Sequence, residues 1–206
     1  MFLTRMRPHP NERPLKLMER PWLEFYDEGV PHTLEYPSIT VPEYLNQAAQ
    51  RFPSQIATVF LGARLTYSQL KAQVDQLASQ LQAMGVGKGD RVAIMLPNCP
   101  QMIIAYYATL SVGAVTVLTS PLYVERELEH QWSETGVETA FVLDLLWPRV
   151  EALQQKLPLE RIIVTGVQDY LPFPKNVLFP FRARRQGNWV NAPFGDDGVY
   201  PFKRLV

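Results

Sequence analysis

The middle of the chain alternates short apolar runs with stretches in which apolar residues recur every three or four positions, and this alternation predicts strands separated by helices. Residues 56–61 read as a strand, followed by Arg64 and Leu65, after which Thr66 opens a helix. Thr66 and Gln69 have the S/T-x-x-E/Q spacing of a capping box, in which each side chain satisfies an otherwise unpaired amide of the first turn. Leu70, Val74, Leu77, Ala78, Leu81 and Met84 then fall on one helical face, and Gly85 ends the helix where a left-handed residue is wanted.

The pattern repeats. Residues 91–96 read as a strand, and Asn98 with Gln101 predicts a cap for a second helix running to about Val112 and stopped by Gly113. Met102, Ile103, Ile104, Tyr106, Tyr107 and Leu110 cover most of that helix's circumference, which places it between layers rather than on the surface. Further strands are expected at 114–118, 139–143 and 161–165, with helices at 125–135 and 146–155. Strands and helices alternating at this spacing predict an α/β fold, a Rossmann-like parallel sheet with helices on both faces, over residues 39–165. Residues 1–38 and 166–206 hold most of the 18 prolines and show little periodicity. They read as an extended amino-terminal arm and an irregular tail rich in proline, aromatic and basic residues.

Composition narrows the function classes. An apolar content of 47% is normal for a globular core, and 20 basic residues cancel 20 acidic ones, so the broad positive field of a nucleic-acid binder is missing. The single cysteine, Cys99, cannot form an internal disulfide, and His9, His32 and His130 have no Cys or His neighbours at metal-ligand spacing. A cytoplasmic, metal-free segment is expected. The stretch from Val92 to Val124 carries no charge, but Pro97, Asn98, Pro100 and Gly113 break it into pieces shorter than the roughly 20 residues of a membrane-spanning helix, so it reads as buried core. Near the amino terminus Arg5, Arg7, Arg13, Lys16 and Arg20 outnumber Glu12 and Glu19 as in a transit peptide, yet Pro8, Pro10 and Pro14 interrupt the amphipathic helix that such a peptide needs. A disordered tail, or a start at Met18, fits better.

Four groups of residues invite a chemical reading. Gly85-Val86-Gly87-Lys88-Gly89-Asp90 has the glycines and lysine of a phosphate loop, but it follows a helix and opens a strand, the reverse of a P-loop, and so reads as a turn. Cys99 falls in the predicted first turn of a helix, where the macrodipole lowers a thiol pKa, but no base is near in sequence and an inert thiol is expected. Glu125-Arg126-Glu127-Leu128-Glu129-His130 reads as a solvated helix face anchored by Leu128 and Trp132. Lys175, Arg182, Arg184 and Arg185 interleave with Phe173, Phe179, Phe181 and Trp189, a mixture suited either to a membrane interface or to a surface excursion. Pro174 and Pro180 argue against one continuous amphipathic helix and so favour the excursion.

Three segments stand out in order and spacing: Leu65-Thr66-Tyr67-Ser68-Gln69-Leu70; Gly89-Asp90-Arg91-Val92-Ala93-Ile94-Met95-Leu96-Pro97-Asn98; and Pro121-Leu122-Tyr123 followed by Arg126-Glu127-Leu128-Glu129-His130-Gln131. Together they resemble the AMP-forming acyl-CoA synthetases of the adenylating superfamily, most closely the long-chain fatty acid–CoA ligases, whose patterns are L-T-Y-x-x-L, G-D-R-V-A-x-x-x-x-N and N-P-L-Y-x-x-R-E-L-x-H-Q. The resemblance covers residues 19–165 and is loose beyond them. It implies a two-step reaction in the complete enzyme: a fatty carboxylate attacks the α-phosphate of ATP, and CoA thiol then displaces AMP. Magnesium, a lysine and a Ser/Thr/Gly-rich loop stabilise the charge that develops.

Nothing in this chain matches that loop. Gly195-Asp196-Asp197-Gly198 lacks both the lysine and the hydroxyl residues, and the family's adenine and ribose motifs and its carboxy-terminal domain with a catalytic lysine do not occur either. No catalytic, cofactor-binding or metal residue can be carried over. ATP, magnesium and CoA are expected for the complete enzyme and not for this segment. The implied reading is the amino-terminal portion of such a ligase, inactive alone, with the remainder of the synthetase or a full-length synthetase as partner, long-chain fatty acid as substrate of the whole, and possible contact with a membrane surface. The rival is a stand-alone α/β interaction module. The apolar helix after Asn98 could also line an acyl tunnel, although core packing is the simpler role. Two departures are notable. Ser120 replaces the usual Asn, and Val124-Glu125 replaces Thr-Pro, a lost cap worth about 1 kcal/mol that predicts a late or frayed start to the next helix.

Overall fold

The computed structural model describes residues 20–185, 192–195 and 198–206. The basic residues up to Lys16, the alternative start at Met18, and Trp189, Asp196 and Asp197 lie outside the described residues. The described residues divide into two compact units between Ser38 and Ile39. In the first, Pro21–Phe25 form a 3-10 helix, and the Tyr26 and His32 rings meet edge to face.

The second unit contains a five-stranded parallel sheet in the order β4-β3-β5-β6-β7, built from Val115–Leu118, Arg91–Met95, Thr139–Leu143, Arg161–Thr165 and Val199–Pro201. Taken from β3 onward this is the 2-1-3-4-5 order of a doubly wound sheet, with its switch point between β3 and β5. Side chains alternate across it with the two-residue period of a strand. Val92, Ile94, Phe141 and Ile163 pack under α1 (Val41–Arg51), α2 (Tyr67–Ala83) and α3 (Pro100–Ser111). Ala93, Met95, Val142 and Val164 pack over α4 (Glu125–Thr135) and α5 (Trp147–Gln154). Because both faces are covered, β5 is buried at every position, which is why its sequence is apolar throughout after Thr139.

The capping box of α2 forms as its spacing predicts: Gln69 N donates to Thr66 Oγ1 at 3.2 Å, and Thr66 N donates to Gln69 Oε1 at 2.9 Å. Leu70, Val74, Leu77, Ala78 and Leu81 are its buried face. No residue of α3 before Ser111 is exposed, since the helix is held between the sheet and the layer of α1 and α2.

Five expectations need correction. Residues 56–61 do not join the parallel sheet. β1 (Ile56–Phe60) pairs antiparallel with β2 (Ala63–Thr66) as a separate hairpin, closed by Leu61 and Gly62 with φ of 50° and 99°. Positive φ at both loop positions is the geometry that matches strand twist in a two-residue turn. Asn98 does not cap α3. Cys99 occupies the cap position without a side-chain bond, and Gln101 turns inward instead. The helix after Val124 neither starts late nor lacks a partner, because Glu127 Oε2 accepts from Val124 N at 3.0 Å and serves the first turn from inside the helix.

The section expected to be irregular supplies β7, which pairs parallel with β6 and completes the sheet, and a helix α6 (Lys175–Arg185). That helix runs through Pro180, contrary to the expectation that proline would break it. The missing amide leaves only the Asn176 carbonyl without its helical donor, a local loss.

Candidate functional site

Ligands of doubly wound sheets bind beyond the carboxyl ends of the strands. In this chain a crevice of about 290 Å³ lies there, lined by Asp144 after β5, Thr165 and Gly166 after β6, Gln168 and Asp169 in the following turn, and Phe202 and Lys203 after β7. The turn is tightly knit. Asp169 Oδ2 accepts from Thr165 Oγ1 at 2.8 Å and from Gly166 N at 2.9 Å, and Gln168 Nε2 donates to Asp144 Oδ2 at 3.0 Å. A Cβ at position 166 would overlap the Gln168 amide and stand 2.5 Å from Asp144 Oδ2, so any side chain there would have to displace both of these groups.

From below, Gln101 Nε2 donates to Thr165 Oγ1 at 3.2 Å and to Gly166 O at 2.9 Å, while its own Oε1 is buried without a partner. Tyr170 OH donates to Gln73 Oε1 and ties the same turn to α2. Burial pushes the Tyr170 hydroxyl well above its ordinary pKa, so it stays a neutral donor. Burial also raises the Asp144 carboxyl, with the charge of Asp169 adding and hydrogen bonds from Gln168 and from Leu145 N opposing.

This arrangement suits a structural latch better than a triphosphate site. Its polar groups are committed to one another, and the two carboxylates, Asp144 and Asp169, face the space with Lys203 alone among the described lining residues to offset them. A polyphosphate entering it would meet like charge, where phosphoryl chemistry needs convergent cations and amides. The residues therefore do not fit the nucleotide, and no reaction step is assigned to them.

The groups singled out in the sequence lie elsewhere. Gly85 to Asp90 form a turn at the amino end of β3, opposite the crevice, where Gly87 N donates to Asp90 Oδ2 at 2.8 Å. Cys99 is buried, and burial raises its thiol pKa against weaker help from the Met102 and Gln101 amides, so the residue is a poor nucleophile. It borders an apolar hollow of about 250 Å³ between Val59 and Phe60 of the hairpin and Pro100, Met102 and Ile103 of α3. The opposite side of α3, with Ile104, Ala105 and Ala108, is core.

On α4, Glu125, Arg126, Glu127 and His130 face solvent, while Leu128 and Trp132 are fully buried. The Pro121-Leu122-Tyr123 turn is pinned by Arg149, whose Nη1 donates to Pro121 O at 3.1 Å and to Tyr123 O at 2.9 Å. The acidic and amide residues of the crevice escaped sequence reasoning because only the strand order brings 101, 144 and 165–169 together. The usable signal was a polar residue or glycine directly after two of the buried strands, Asp144 after β5 and Gly166 after β6.

Residues 45–200 match the family model described as AMP-binding enzyme. Over 168 residues, 82% of this chain, the sequence is 42% identical to a long-chain-fatty-acid–CoA ligase of Bacillus subtilis (strain 168). A ligase of the same description from Yersinia pestis is 34% identical over 168 residues. The matched part is 30% of each relative, so the chain spans under a third of their length. Among solved structures, a long-chain-fatty-acid–CoA ligase of Archaeoglobus fulgidus superposes with a TM-score of 0.62 at 27% identity, covering 68% of this chain and 30% of that one. A solved structure from Rhodopseudomonas palustris, at 22% identity and a TM-score of 0.64 over 82% of this chain and 36% of that one, agrees in fold. With the strand order, the capped α2 and the family model's match to most of its length in agreement, the chain belongs to the AMP-binding enzyme family.

Proposed function

We propose that this chain is the amino-terminal portion of a long-chain fatty acid–CoA ligase, and that it serves as scaffold in the large domain without catalysing a step alone. The complete enzyme would join fatty acid to CoA with ATP cleaved to AMP and pyrophosphate, and would draw ATP, magnesium and CoA through the part of the relatives that this chain does not match. In this reading residues 1–38 form an arm, residues 39–206 form one subdomain, and the remainder of a synthetase is the partner, in the cytoplasm or at a membrane surface. The observation that carries the proposal is the 42% identity to the Bacillus subtilis ligase across 168 residues, combined with a crevice chemistry unsuited to a triphosphate. The 206-residue chain should give no ATP–pyrophosphate exchange with palmitate. Clear exchange would refute the scaffold role.

One observation favours the rival, a self-sufficient interaction module: both faces of the sheet are already covered, and Trp132, Trp147, Phe141 and Phe202 are fully enclosed. Against it, the edge strand β4 exposes Val115 and Leu118, and the next turn exposes Leu122. A bare packing face of that kind is expected of a part that meets more protein. A sharp melt of a monomer that binds no apolar dye supports the module; dye binding and self-association support the ligase portion.

A further inference from the structure

Helix α6 turns three large apolar side chains, Val177, Leu178 and Phe181, away from the protein. Its inner face is Ala183, buried, with Asn176, Phe179 and Pro180 half-buried, and it packs on the 3-10 turn Val167–Tyr170. At 100° per residue the opposite face is Val177, Leu178, Phe181 and Arg185, flanked by Arg182 and Arg184. Val177 is 51%, Leu178 59% and Phe181 65% exposed, and Phe173, just before the helix, is 82% exposed. From Phe173 to Arg185 the chain has four basic residues and no acidic one.

This face matches neither of the ordinary fates of a surface helix. A solvated face would be polar where Val177, Leu178 and Phe181 stand. A face covered by further protein would take the guanidinium groups of Arg182 and Arg185 out of water, which costs several kcal/mol per ion unless each finds a carboxylate. The helix macrodipole accounts for a basic last turn but not for the exposed apolar side chains beside it. A bilayer surface satisfies both requirements at once: rings and aliphatic groups enter the boundary of the acyl region, and the cations reach lipid phosphates along their own apolar stems.

We propose that the outward face of α6 is a docking surface for an anionic lipid bilayer. The helix would lie flat in the interface over its length of about 16 Å. Among the described residues no helix is long and apolar enough to cross a membrane. Attachment through this one face would be peripheral and reversible. The proposal does not depend on the ligase reading, since it concerns adhesion and not turnover.

The test is sedimentation of the 206-residue chain with vesicles of phosphatidylglycerol and phosphatidylcholine, compared with phosphatidylcholine alone. Binding is expected to the anionic vesicles only and to weaken as salt is added. Arg182→Gln with Arg185→Gln should reduce it about 25-fold, roughly fivefold for each cation removed. Leu178→Ser with Phe181→Ser should reduce it at least about tenfold at unchanged charge. Both pairs are exposed, so unfolding midpoints serve as the folding control and should not move. Equal binding to neutral vesicles, or unchanged binding of either double variant, overturns the proposal. Failure to sediment with either vesicle also overturns it and leaves the face to an acidic protein surface.

Discussion

Gln101 on α3 and Gly166 after β6 lie 65 residues apart in sequence, and the Gln101 amide donates to the Gly166 carbonyl at 2.9 Å in full burial. This bond and its companion to Thr165 anchor the crevice turn to the helix below it. Gln101→Met keeps the length and removes the donors, so it should destabilise the chain by about 1–3 kcal/mol in urea unfolding. Gln101→Glu is expected to be worse near neutral pH, because a carboxylate then faces a carbonyl oxygen. Its folded pKa would be raised, so its stability is retained in acid and lost as pH rises above about 4.3. Identical midpoints for the two variants in acid and at neutral pH would show that position 101 does not face the carbonyl.

Asp144 gives a second pH effect. Burial raises its pKa in the folded state, so between the unfolded and folded values the native chain binds more protons than the unfolded one, and stability falls as pH rises through that window. Asp144→Asn removes the charge and keeps an acceptor for Leu145 N. Gln168 can turn its amide so that its unpartnered Oε1 accepts from the new side chain. The variant should therefore melt higher than the parent at neutral pH, with the gap closing in acid below about pH 4. A variant that melts lower at neutral pH would mean that a cation such as Lys203, across the crevice, holds the carboxylate more strongly than burial disfavours it.

The sequence carried the sheet because its central strands are buried on both faces and its helices have clear apolar stripes. Residues 139–143 and 161–165 read as strands and are strands, and the Thr66–Gln69 box forms. What escaped was decided by tertiary context. The hairpin hides behind Leu61-Gly62, which lacks the usual Asn-Gly signal although it takes the same positive φ values. β7 has three residues and ends in Pro201, which only an edge strand tolerates, so its assignment rests on β6 being beside it. Gln101 has the spacing of a cap residue, but a buried carbonyl 65 residues away competes for its amide and wins. The crevice was illegible for the same reason: its members are neighbours only after the strands are ordered.

Gly198 and Gly89 separate backbone strain from crowding. Their φ values are 91° and 90°, so an alanine at either bears the same left-handed penalty, about 1 kcal/mol. Around Gly89 nothing stands within 4 Å of a new Cβ, whereas at Gly198 the Glu160 carbonyl oxygen would be 2.6 Å away, beside the Gly198 O that accepts from Ile162 N at 2.7 Å. Gly198→Ala should therefore destabilise clearly more than Gly89→Ala and should speed hydrogen exchange at the Ile162 amide, as β7 loosens from β6. Equal losses at the two sites would mean that β7 is not seated against β6.

Thr119 accepts from Trp132 Nε1 at 3.0 Å, and both residues are buried, so this contact fastens α4 to the end of β4 just before the Ser120–Tyr123 turn. Thr119→Val preserves shape and leaves the indole N–H unpaired in an apolar setting, which should destabilise by about 1–3 kcal/mol. Thr119→Ser keeps the acceptor and loses one methyl group, a smaller loss of about 1 kcal/mol. The order of urea midpoints is therefore parent, serine, valine. A valine variant at least as stable as the serine one would show that packing, and not the hydroxyl, holds Trp132, and that α4 is secured by Leu128 and the apolar layer alone.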